Sequence, residues 1–398
     1  MAATRTKNGT TPGAGSPVTA KAEKDATRRD AVLVPLVAVL LGFVVGSVVI
    51  LITGKSPLLM FNAMLQGLTG VNLKVGSFNP RYIGELVIQS MPIILTALCF
   101  GFAARTGLFN IGAEGQLMVG ALAATAVALS VKAPAVIHVP LILGSAMMAG
   151  ALWGAIPGYL KARFNVHEVV VTIMLNYTAL HVNNWTILNI FGSVDRVKTA
   201  PFPQSALLKD PWLEQLTNGS RLNWGFVPVI LAVVVYWFII EKTTFGYGLR
   251  AVGYNKDAAK YAGMKVNRNI VSSMMIAGAF AGLAGAVIAT GTFSFGRALP
   301  AAEGYGFDGM AVALVGANQA PGIVLAGLLF GMLKAAGPLM QSAGIPKEIG
   351  GIIQASIVLF VAMKYGIERL LQLARARKVA ATGPGGADPA PDAEEAGV

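Results

Sequence analysis

Residues 31–53 contain no charged side chain. At about 1.5 Å of rise per residue, a helix over this stretch spans the ~30 Å hydrocarbon core of a bilayer. It is also too long for the apolar region of a cleavable signal peptide, about 7–15 residues. Comparable apolar stretches follow at 83–104, 111–131, 137–160, 169–191, 225–240, 269–291, 307–319, 321–338 and 349–363. Inside lipid a segment must satisfy its own backbone polar groups, so such runs predict helices. The chain therefore reads as an all-α integral membrane protein with about ten transmembrane helices.

Composition agrees. Apolar residues make up 55% of the 398 and charged residues only 13%, about half the share in soluble domains. A net charge of +12 on a soluble chain would suggest a nucleic-acid ligand. In a chain this apolar it marks cytoplasmic loops, and no nucleic-acid partner is expected. With a single cysteine, Cys99, neither an intrachain disulfide nor a cysteine-built zinc site is possible.

Residues 1–30 are polar and low in complexity, and read as a disordered tail. Residues 31–366 form the transmembrane domain. Within it, 55–70 reads as an amphipathic helix lying in the interface, with Leu58, Phe61, Met64, Leu65 and Leu68 on one face. The end, 367–398, reads as a basic helix followed by a disordered tail. Ten spans put both termini on one side of the membrane. With the termini cytoplasmic, inner segments carry twice as many Lys and Arg as outer ones, which favours that orientation. It makes 242–268 a cytoplasmic loop and 192–224 an outer loop, with Phe202, Trp212 and Trp224 as interfacial anchors. Glu114-Gly115 followed by Gly120 recurs as Glu303-Gly304 followed by Gly309, antiparallel in this topology. Inverted repeats are a common transporter design.

Several motifs fail on inspection. Thr53-Gly54-Lys55-Ser56 resembles the end of a phosphate-binding loop, but Val49 stands where that loop needs glycine. His167-Glu168 begins a zinc-protease signature that Val171 breaks. With three histidines in all, no metal site and no catalytic residues are expected. Small-residue steps at Gly150, Gly154 and Gly158, at Gly278 and Gly282, and at Gly327 and Gly331 predict close helix packing.

Polar groups within spans are costly in lipid and should face the protein interior or a water-filled path. The candidates for a translocation path are Asn110, Glu114, Gln116, Asn176, Tyr177, His181, Glu303 and Asp308, with Phe293 and Phe295 available to stack on a ring. The alternatives are structural: Asn110 and Gln116 as caps of broken helices, Glu114 as a partner of Arg105. In the loop 242–268, Asn255 reads as the N-cap of a short helix over 256–262, closed by Gly263. Ala258, Ala259 and Ala262 would present a shallow apolar face to another protein.

The segment running from Thr244-Phe245-Gly246-Tyr247-Gly248-Leu249-Arg250 through Gly253-Tyr254-Asn255 to Ala262-Gly263-Met264 resembles the coupling-helix region of ABC-importer permeases of the branched-chain amino acid and simple-sugar family. Gly101-Phe102-Ala103-Ala104-Arg105-Thr106-Gly107-Leu108-Phe109-Asn110-Ile111-Gly112-Ala113-Glu114-Gly115-Gln116 is similar to that family's signature between the second and third spans. The run from Asn165-Val166-His167-Glu168 to Asn176-Tyr177 resembles the nucleoside branch. The resemblance covers about residues 55–366. It implies a type II importer-like bundle and a division of labour. The chain would form the membrane path as one half of a permease pair, identical or homologous. A cytoplasmic ATPase, carrying ATP and Mg, would dock on Arg250, Gly253, Asn255, Ala258, Ala259 and Gly263. An extracytoplasmic, lipid-anchored binding protein would deliver a nucleoside or related simple sugar, which passes by alternating access across the cell membrane. The chain itself would bind no cofactor. The residues alone also admit an ion-coupled secondary transporter using Glu114, Glu303 and His181, or a membrane scaffold.

Overall fold

A computed structural model describes residues 17–363 apart from 73–75, 193, 194 and 196, with side chains from 33 onward. In chain order the helices are α1 (Pro17–Ile52), α2 (Pro57–Thr69), α3 (Arg81–Arg105), α4 (Ala113–Ser130), α5 (Ala135–Phe164), α6 (Glu168–Asn189), α7 (Pro211–Leu216), α8 (Phe226–Lys242), α9 (Thr244–Tyr254), α10 (Lys256–Tyr261), α11 (Val266–Val287), α12 (Tyr305–Val315), α13 (Ala320–Ser342) and α14 (Glu348–Ala362). A π-helical turn, Ile288–Phe293, extends α11. Val71–Asn72 pairs antiparallel with Ser77–Phe78.

All ten apolar stretches fall on helices. Six helices are long and apolar enough to cross a membrane, or seven if the bent pair α8 and α9 is one span. The other segments fall short of that test: α12 and α14 are short apolar helices, and the 22 residues of α6 are interrupted by asparagine, threonine and histidine. The N-terminal expectation needs correction. α1 starts at Pro17, inside the stretch read as a disordered tail. Residues 17–32 are rich in Ala, Lys, Arg and Glu, good helix formers, and adding turns to an existing helix avoids the nucleation penalty. Residues 1–16 and the tail 367–398 lie outside the described residues.

The bundle is organised around α3 and α11, which lie against each other. α11 also packs on α4 and α5, whereas α3 packs on α12 and α13. Each central helix therefore buries much of its surface against elements from the other half of the chain. Glycine makes the closest of these contacts possible. Gly150 and Gly154 lie against the α11 backbone at Gly278, Gly282 and Met274, and Gly327 and Gly331 lie on Ile94 and Ser90 of α3. An added methyl at any of these positions meets another residue inside van der Waals distance. The small-residue steps are thus tertiary seams within one chain.

At the periphery, α1 pairs with α14, and α2 leans on α13. α2 keeps Leu58, Phe61, Leu65 and Leu68 exposed, but Met64 faces inward with Met60 and Ala63, so the predicted apolar face is split between lipid and protein. In the outer segment, Asp210 caps α7 and accepts a hydrogen bond from the Trp224 indole at 2.9 Å. Trp212 and Trp224 are exposed, as interfacial anchors require, whereas Phe202 is buried in a small cluster with Ala124, Ala128 and Ile142.

Candidate functional site

Two regions gather the predicted residues. The first follows α8. Thr243 turns its hydroxyl to the Gly246 amide (2.9 Å) and starts α9 at an angle of 72° to α8. A side chain at Gly246 would strike the Ile239 and Ile240 carbonyls, so glycine is what lets the chain bend there. Residues 244–254, expected as loop, are therefore helical, because the cap and the bend let a second helix begin at once. Asn255 then breaks α9. Its side-chain oxygen accepts from the amides of Asp257 and Ala258, both at 3.0 Å, and caps α10. Gly263, at φ +79°, ends the turn.

The face of α10 differs from the expected one. Ala259 is 3% exposed and packs inward, and only Ala258 and Ala262 of the three alanines face out. A one-turn helix lying on a bundle must bury one side, and Ala259 is on it. The groups that stand free are Tyr254 and Tyr261, at 93% and 94% exposure. Sequence reasoning passed over both, although two aromatic residues beside a capped turn were a legible signal. Arg250 pairs with Glu241 (2.6 Å), which also holds Arg105 at the end of α3. Gly253 lies directly on the backbone of residues 105–107. Two of the three segments that carry the family resemblance thus touch each other.

The second region is the start of α4 and of α12. Asn110, Glu114 and Gln116 are each 1% exposed. Asn110 accepts from the Gly112 amide at 2.9 Å, and its side-chain amide reaches Gln116 at 3.2 Å and the Cys99 sulfur at 3.3 Å. Asn176 accepts from the Gly115 amide (2.8 Å) and donates to the Ile111 carbonyl (3.0 Å). The Glu114 carboxylate does not meet Arg105. It accepts from the amides of Gly304 (3.0 Å) and Gly306 (2.5 Å), at the N-terminus of α12. A carboxylate there satisfies donors that the helix leaves open and favours its positive end. These residues form a closed polar knot around the first turns of α4 and α12, and their polar atoms are already engaged. Glu114, of one predicted repeat, seats the first turn of the other.

Glu303 and Asp308 stand differently. Glu303 takes Arg297 by two parallel bonds, 3.0 and 2.8 Å, and the guanidinium lies 3.5 Å over the Phe293 ring. Asp308 pairs with Lys334 of α13 at 2.5 Å, and that ammonium sits 4.3 Å over the Tyr305 ring. Two aromatic–cation–carboxylate stacks therefore flank the first turn of α12. Each strengthens a partly dehydrated ion pair with ring quadrupole attraction. Beside them opens a cleft of ≈ 640 Å³, whose polar wall includes Glu303, Lys334, Gln341 and Gln354. A second cavity of ≈ 550 Å³, lined by Lys198, Phe295 and residues 297–303, shares Glu303 with it. Arg297 and Tyr305 were missed from sequence. Lys334 was legible as a lone lysine within an apolar run, which needs an acidic partner nearby.

Tyr177 and His181 separate from both clusters, whereas Phe293 and Phe295 stay with the Arg297–Glu303 pair. Tyr177 is 63% exposed, and His181 shares its face of α6 with Met174 and Trp185. Phe293 and Phe295 meet edge to face at 6.1 Å just past α11. Asn183 and Asn184, not singled out from sequence, hold the backbone of Arg297 and Leu299.

Six or seven long apolar helices around shorter ones and paired charges define a multi-pass helical membrane protein. Residues 82–362 match the family described as Branched-chain amino acid transport system / permease component, and the chain belongs to it. It is 49% identical to the guanosine ABC transporter permease protein NupP of Bacillus subtilis (strain 168), over 84% of this chain and 94% of that protein. It is 38% identical to the nucleoside ABC transporter permease protein NupB of Lactococcus lactis subsp. cremoris (strain MG1363), over 87% and 95%. It is 34% identical to the glucose ABC transporter permease protein TsgB13 of Haloferax volcanii, over 82% and 86%. No solved structure matches the chain.

Proposed function

We propose that the chain is one membrane half of an ATP-driven importer that passes nucleosides, or related simple sugars, into the cell by alternating access. The observation that carries this reading is the capped turn α10, flanked by two free tyrosines and joined through Gly253 to the end of α3. A separate ATPase, holding ATP and Mg, docks on Tyr254, Tyr261, Ala258 and Ala262. Closure of that ATPase pushes α9 and α10. The backbone contact at Gly253 carries the push to residues 105–107, and the knot at Asn110 and Glu114 carries it on to α12.

α12, with 11 residues, is about 16 Å long, half the hydrocarbon core. Its first turn meets the first turn of α4, as in transporters whose broken helices face a central path. The ion pairs leave that path polar but charge-compensated, which suits an uncharged polar solute. The names of two relatives, for guanosine and for nucleosides, support a nucleoside. Tyr177 and His181 are costly in lipid. Their face of α6 turns to a second permease, with the path between the halves. Ten crossings, both termini cytoplasmic, the cell membrane as location and a lipid-anchored binding protein complete the reading.

The test is reconstitution of the complex purified from its host into proteoliposomes. ATP inside should drive uptake of labelled guanosine, unaffected by an ionophore. Uptake by this chain alone, driven by an ion gradient and abolished by the ionophore, would replace this reading with an ion-coupled carrier.

A further inference from the structure

We propose that the pocket between the end of α3 and α9 is a headgroup site for an anionic phospholipid, with Arg105 and Arg250 holding its phosphate. One stripe of α8 shows where the membrane surface lies. Val227, Ile230, Leu231, Val234, Trp237 and Phe238 recur at three- and four-residue steps and are all exposed. In a membrane-spanning chain such a stripe faces lipid. It ends at Glu241 and Lys242, and the Lys242 ammonium lies 5.2 Å over the Trp237 ring. Tryptophan and lysine together at the end of an apolar stripe mark the layer where hydrocarbon gives way to headgroups. α9 then leaves α8 at 72°, roughly along that surface. It buries Leu249 and Val252 and exposes Tyr247, as a helix lying in the interface does.

At this level Glu241 gathers cations from two other helices. It holds Arg105 of α3, and Arg250 of α9 at 2.6 Å. One carboxylate between two guanidiniums leaves one positive charge over. Both arginines stay partly open, at 23% and 29% side-chain exposure. The Arg105 Nε has no acceptor among the described residues. Beside the two arginines lies a cavity of ≈ 430 Å³, with Tyr247, Gly253 and Tyr254 among its walls. A phosphodiester fits this set. Its free oxygens accept from guanidinium forks as a second carboxylate would, and it brings the missing negative charge. Its acyl chains would run along the exposed stripe of α8. Basic pockets between transmembrane helices at a membrane surface hold anionic headgroups in this way. A phosphatidylcholine would bring its own cation to the two arginines, so the site selects an anionic lipid such as phosphatidylglycerol. Gly253 walls the same cavity, so a bound headgroup lies against the contact that joins α9 to α3. None of these features depends on the solute that the chain carries.

The full-length chain, purified in detergent with the subunits it retains and stripped of lipid, is titrated with short-chain phosphatidylglycerol or phosphatidylcholine. Binding is read by native mass spectrometry. Phosphatidylglycerol should bind at least ten-fold more tightly than phosphatidylcholine. Arg250→Gln should weaken phosphatidylglycerol at least ten-fold and erase the preference. Glu241→Gln removes the competing carboxylate and should tighten phosphatidylglycerol several-fold, a gain that a damaged fold cannot give. Equal binding of the two lipids overturns the proposal, and so does a phosphatidylglycerol affinity that neither variant changes. Inorganic phosphate and guanosine monophosphate are added as competitors and should leave the lipid in place. Displacement by either at micromolar concentration would give the arginines to a soluble phosphate and overturn the lipid site. No transport enters this measurement, so it is decided apart from the importer reading.

Discussion

Gly253 and Gly107 meet backbone to backbone. A methyl on Gly107 would stand 3.1 Å from both the Cα and the carbonyl oxygen of Gly253, and one on Gly253 would stand 2.5 Å from the Arg105 carbonyl. Gly107 also has φ +73°, a conformation that penalises any side chain. The contact ties the α9–α10 junction to the α3–α4 turn with almost no compressible side-chain layer between them. Motion at one therefore moves the other.

Gly253→Val should break this link. Overpacking of this kind costs about 1–3 kcal/mol, small for a bundle of this size. The variant should insert and purify normally, while ATP-driven uptake is lost and the ATPase turns over uncoupled. Paired uptake and ATP-hydrolysis measurements check this, and an unchanged ratio would refute it.

Asn255 caps α10 through two bonds to its first amides. Asn255→Ala should cost about 1 kcal/mol of local helix stability and lower uptake several-fold, whereas Asn255→Asp or Asn255→Ser should retain most of it. Initial uptake rates of the three variants, normalised to protein in the membrane, decide the matter.

Tyr254→Ala with Tyr261→Ala removes two side chains that touch little of this chain. The melting temperature in detergent should stay within about 1–2 °C of the wild type, since exposed substitutions change stability by about 0.5 kcal/mol or less. Co-purification of the ATPase should fall sharply. Normal co-purification would remove the tyrosines from the docking surface.

Glu114→Ala leaves the amides of Gly304 and Gly306 without their acceptor, a loss of about 1–3 kcal/mol for a buried donor. Glu114→Gln keeps one acceptor oxygen and should recover part of it. Thermal unfolding should rank wild type above Gln above Ala. Equal melting of all three would show that the bonds contribute nothing.

Lys334→Met strands Asp308, and loss of one partner of this half-buried pair should cost on the order of 1 kcal/mol. The double variant Lys334→Met with Asp308→Asn should regain much of that stability. A double-mutant cycle on melting temperatures reads the coupling directly, and additive effects would contradict the pairing.

Charge-free runs, a bend glycine and an Asn–Gly frame around a short helix are local signals, and each produced the element that local physics requires. The helical character of all ten stretches, the Asn255 cap and the Gly263 stop follow from the sequence alone for that reason. Side-chain direction on a one-turn helix is not local: Ala259 turned inward because α9 and α11 lie beneath it. Only tertiary packing could show that Glu114 seats α12 and leaves Arg105 to Glu241, or that Arg297 serves Glu303. Those choices depend on which helix ends meet across some 190 residues of chain, and a buried charge takes the partner that the assembled fold brings within reach.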